Sequence, residues 1–62
     1  MKEHVRRKYE EDLRRTQEEI EECLKVASWS EKWENHEGAE QERKNARRRE
    51  IHLQKLQEKL RN

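Results

Sequence analysis

Nothing in this chain forbids a helix from running almost end to end: it has no proline and a single glycine, Gly38. Its commonest residues, Glu, Lys, Arg, Gln and Leu, lose little side-chain freedom in a helix and favour that state. The same residues leave little to bury. Half of the 62 side chains are charged and 27% are apolar, with no phenylalanine, against roughly 45–50% apolar, glycine included, in globular domains. Below ~70–80 residues a single core rarely suffices without a staple or a partner. Cys23 is the sole cysteine, so no disulfide framework can supply the staple. These constraints point to an all-α fold held by thin helix-to-helix seams and completed by a second chain.

High charge with low hydrophobicity also describes disordered segments. Here sixteen basic and fifteen acidic residues nearly cancel, so self-repulsion is small and helix propensity decides for order. No apolar run approaches the ~18 residues of a membrane span, and Met1 to Glu11 carries no apolar signal-peptide core. A lone cysteine fits a reducing setting, so an intracellular location, cytoplasmic or nuclear, is expected.

The first helix is predicted over about residues 2–27. Val5, Tyr9, Leu13, Thr16, Ile20, Leu24 and Ala27 recur at spacings of three and four, one stripe of a 3.6-residue period. Gln17 and Cys23 flank it, and Glu11 stands four before Arg15 in the favourable order for an ion pair. Beyond Ala27 the phase changes, because an extended stripe would leave Trp29 and Trp33 nearly opposite it. Ser28-Trp29-Ser30-Glu31 has the form of a capping box, so a kink is expected near residues 26–30, with a short helix over about 29–36. The competing reading is one helix to about Asn35 with the tryptophans facing another partner. Asn35-His36-Glu37-Gly38 predicts a turn at about 35–38. The last helix follows over about 39–61, with the stripe Ala39, Ala46, Leu53, Leu56 and Leu60. Ala46, Leu53 and Leu60 keep the seven-residue period of a coiled-coil seam.

Folding the chain back at 35–38 brings the two stripes into register as an antiparallel hairpin. Leu13 then meets Leu60, Ile20 meets Leu53 and Ala27 meets Ala46, large against large and small against small. The expected seam is Leu13, Ile20, Leu24, Ala27, Ala46, Leu53, Leu56 and Leu60. Val5 and Tyr9 overhang, and Trp29, Trp33 and Ile51 lie on other faces. Apolar surface without a partner in so polar a chain calls for a second molecule. A homodimeric four-helix bundle is the economical answer, and another helical protein is the alternative.

Charge is segregated along the chain. Residues 1–28 hold seven basic and eight acidic side chains, residues 29–42 one and five, and residues 43–62 eight and two. Arg43, Lys44, Arg47, Arg48 and Arg49 form the densest cluster. They can pair with acidic residues across the seam and set the register, or grip the phosphates of a nucleic acid or an acidic partner. Nucleic-acid binding by this arginine-rich helix is the alternative function.

Asn35 to Arg43, with Leu53 and Leu60 downstream, superficially resembles a basic-leucine-zipper signature. Positions 40–42 are Glu, Gln and Glu where that family has cations, so no residue role carries over. Asn45 to Glu50 is similar to the start of a basic helix-loop-helix segment, but Arg48 stands at that family's base-reading Glu. Glu18 to Ala27 is similar to the front of a ubiquitin-interacting helix and lacks its serine, since Glu31 holds that position.

Cys23 and His52 fall near one another in the expected register and are the candidate metal ligands, but a structural zinc site wants four. His4 and His36 stand apart from them. With one glycine there is no phosphate-cradling loop, and a two-helix chain has no room for a catalytic pocket. The expectation is therefore a non-enzymatic, cofactor-free helical module for self-association or protein interaction.

Overall fold

The computed structural model describes residues 1–61 and consists of two helices, α1 (Glu3–Lys32) and α2 (His36–Arg61), folded back as a hairpin. The rod they form measures 48 × 14 × 10 Å. Among the described residues there are no strands.

Helix α1 passes through residues 26–30 without a break, so the expected kink at Ser28 does not occur. The uninterrupted helix keeps every backbone hydrogen bond of that stretch, which a new cap would only partly replace. Carrying the helix through leaves Trp29 and Trp33 pointing away from the seam, 67% and 77% exposed. This is the competing single-helix reading, ending at Lys32 with Trp33 as C-cap.

The turn lies earlier than expected, at residues 33–35, and Gly38 takes no part in it. The Glu34 N–H donates to the Glu31 carbonyl at 3.0 Å and the Asn35 N–H to the Ser30 carbonyl at 2.7 Å. Glu34 itself has φ 61°. That pair of bonds around a left-handed residue is a Schellman ending, with glutamate where glycine is usual. Asn35 then caps α2. Its Oδ1 accepts the Gly38 N–H at 3.1 Å, and its carbonyl accepts the Ala39 N–H at 3.1 Å. Asparagine is among the best N-caps, so α2 starts at His36, three residues before the predicted start, and takes in the glycine.

The seam is thin. Thr16, Cys23 and Ala27 are buried on α1, and Ala39, Ala46 and Leu56 on α2. Small side chains occupy the half nearest the turn, where the backbones must approach, and Leu56 stands in the open half. Leu13, Ile20, Leu53 and Leu60 are half-buried. Ile20 and Leu53 share one shallow cleft with Gln17, Glu21 and Glu50. Leu24 departs from expectation: it is 47% exposed, and its neighbour Cys23 holds the buried position. Opposite alanines there is room for a thiol, and the leucine, rotated ~100° from it, lies at the rim.

Among the described residues Thr16 is the one buried polar side chain, and its Oγ1 donates to the Asp12 carbonyl at 2.7 Å. Its hydroxyl therefore enters the seam with its hydrogen bond satisfied.

Moving the turn earlier also shifts the register. Lys59 Nζ stands 5.4 Å from the centroid of the Tyr9 ring, a cation–π distance. Tyr9 and Val5 are half-buried. The expected overhang of Tyr9 without an intramolecular partner is thus corrected, because the earlier turn carries the end of α2 further along α1.

Candidate functional site

Among the described residues the acidic and basic clusters meet across the seam at two places. Near the turn, Glu31 holds both helices: its Oε1 accepts Arg43 Nη1 at 3.1 Å and its Oε2 lies 2.8 Å from His36 Nδ1. The His36 and Arg43 hydrogen bonds hold the Glu31 carboxyl below the usual glutamate range. Ser-x-x-Glu therefore marks the closing of the hairpin and not the opening of a helix.

At mid-seam, Arg49 Nε donates to Glu19 Oε2 at 2.9 Å, and its Nη1 reaches Cys23 Sγ at 3.6 Å and the Asn45 carbonyl at 3.5 Å. Glu19 raises the Arg49 pKa further, so the guanidinium stays charged. Burial, against the opposing pull of Arg49, raises the Cys23 thiol above its ordinary value, with Glu42 adding to the rise as hydrogen-bond acceptor. Cys23 is a protonated, packed thiol and His52 is exposed. Among the described residues no group of three or more His, Cys, Asp or Glu is placed to hold a metal ion.

These pairings divide the basic cluster. Arg43 and Arg49 are spent on acidic partners across the seam. Lys44 makes only a 3.9 Å contact with Glu40 one turn away, and Arg47 and Arg48 have no ion pair among the described residues. The free cations therefore sit on the outward side of α2, together with Lys55 and the 56% exposed Ile51. The remaining local pairs are Glu3–Arg7 and Arg6–Glu10 on α1. The expected Glu11–Arg15 pair is not among them.

On the outside of α1, Glu22, Lys25, Val26 and Trp29 line an apolar hollow, and Trp33 continues the ridge one turn on. Val26 is 40% exposed. Sequence reasoning named Trp29 and Trp33 as contacts and missed Glu22, Lys25 and Val26. The charges beside the ridge become informative only once α1 is known to be continuous. No helix among the described residues is long and apolar enough to cross a membrane.

No protein-family model, curated protein or solved structure matches the chain.

Proposed function

We propose that this protein is a non-enzymatic helical module whose work is association, chiefly with further copies of itself, the smallest assembly being a homodimer of four helices. The observation that carries this reading is the exposure of Trp29 and Trp33, two of the three aromatic residues in the chain. A tryptophan is among the largest apolar groups a protein can bury. Here both stand outside a seam whose buried residues are three alanines, Cys23, Thr16 and a single leucine, Leu56. Aromatic anchors of this kind dominate the energetics of protein interfaces.

Sedimentation mass measured over a concentration series, with helicity followed by circular dichroism, tests the proposal. Association appears as mass and helicity rising together, accompanied by a blue shift of tryptophan emission. A stable monomer whose helicity is independent of concentration, with emission at the fully exposed maximum throughout, overturns it.

A further inference from the structure

Two outward stripes share one spacing. On α1 they are Glu22, Val26, Trp29 and Trp33; on α2 they are Lys44, Arg48, Ile51 and Lys55. Each set occupies positions i, i+4, i+7 and i+11, a single line along a helix. All eight residues are exposed. The stripes are also complementary in kind, one acidic at its start and aromatic beyond, the other basic with one aliphatic residue.

We infer that the α1 stripe of one copy docks along the α2 stripe of a second copy, the two helices running parallel. This names the surfaces for the association proposed above and rests on that reading. With Trp29 beside Ile51 of the second copy, Glu22 falls level with Lys44 as an ion pair. Val26 falls level with the aliphatic stem of Arg48, and Trp33 with Lys55, the partners of a cation–π contact. The antiparallel alternative, again centred on Trp29 and Ile51, sets Glu22 against Glu58 and Lys25 against Lys55. The parallel arrangement leaves a single like-charge approach near its centre, Lys25 with Arg47.

Because the two stripes differ, the contact is heterologous: each copy that uses its α1 stripe keeps its α2 stripe free. Association therefore continues past a pair into rings or chains. It also gives Lys44, Arg48, Ile51 and Lys55 a common role, which a tryptophan-to-tryptophan dimer leaves without one.

Two variants test the inference, both altering exposed side chains. Trp29→Ala/Trp33→Ala removes the α1 stripe and all indole signal. Arg48→Glu/Ile51→Glu removes the α2 stripe and keeps both tryptophans. Circular dichroism first establishes that each is helical. Each alone is expected to associate at least roughly tenfold more weakly than the wild type, the scale of losing central interface residues. Mixed in equal amounts, the two are expected to form a capped 1:1 pair of twice the monomer mass, with the tryptophan emission shifting to the blue.

If the wild type associates and the mixture stays monomeric, the heterologous pairing is overturned while self-association stands. Association of the Arg48→Glu/Ile51→Glu variant at wild-type strength also overturns it. So does that variant keeping the wild-type mass while losing affinity for a nucleic-acid duplex, which would assign the cations to phosphate. A wild type that stays monomeric overturns both readings.

Discussion

Asn35 Oδ1 accepts the backbone N–H of Gly38 at 3.1 Å, and a Cβ placed on Gly38 would stand 2.5 Å from Asn35 Nδ2. The only glycine thus leaves room for the side chain that caps its own helix. Replacing a helical glycine by alanine ordinarily stabilises by about 1 kcal/mol, while losing an Asn cap costs ~1 kcal/mol. Gly38→Ala is expected to yield clearly less than the full propensity gain, because the new methyl pushes the capping amide aside. In an Asn35→Ala background the same substitution should recover it. Urea unfolding of the four proteins in this cycle checks the coupling; simple additivity would refute the steric account.

Glu34 invites the opposite substitution. A left-handed φ of 61° on a residue with a Cβ carries a penalty of roughly 1–2 kcal/mol that glycine avoids. Glu34→Gly should therefore stabilise the hairpin by about 1 kcal/mol, once the entropy of the unfolded glycine is set against the relieved strain. A lower urea midpoint for Glu34→Gly would contradict this.

Acid should loosen the turn through Glu31. Its folded-state pKa is depressed by His36 and Arg43. Its contribution is therefore present above the ordinary glutamate pKa and is lost as pH falls through the lowered folded-state value. The stability difference between wild type and Glu31→Gln is expected to shrink steadily on acidification below that ordinary value. A difference that stays constant down to the acid limit would show that the carboxylate makes no charge-dependent contribution.

Cys23 should react slowly. Burial raises its pKa, and the thiolate is the reactive form. At mildly alkaline pH, alkylation of the native hairpin is expected to be many-fold slower than that of the urea-unfolded chain, with the rate following the unfolding transition. Equal rates in the two states would mean that the thiol is accessible in solution.

Several features were legible without coordinates. The apolar stripes from Val5 to Ala27 and from Ala39 to Leu60 carry the helical period, and the Asn-His-Glu-Gly stretch lies close to the reversal. These follow from local physical chemistry, the 3.6-residue repeat and the turn preferences of asparagine and glycine. Local signals misled where two of them competed. Ser28 and Glu31 matched a capping box, yet Glu31 had a stronger use across the turn with Arg43 and His36. Gly38 matched a helix ending, yet Asn35 as a cap claimed it for the next helix.

By itself, then, the sequence determined two amphipathic helices, a reversal in the mid-thirties and a shortage of apolar surface. Periodicity and propensity act on neighbouring residues, and need no partner to be read. Only the tertiary structure decided which side chains meet: Cys23 in the seam in place of Leu24, Tyr9 under Lys59, Arg49 with Glu19, and Arg47 and Arg48 facing outward. The reason is that a turn three residues long, placed a few residues earlier, shifts every pairing along both helices. No local pattern in either helix records that shift.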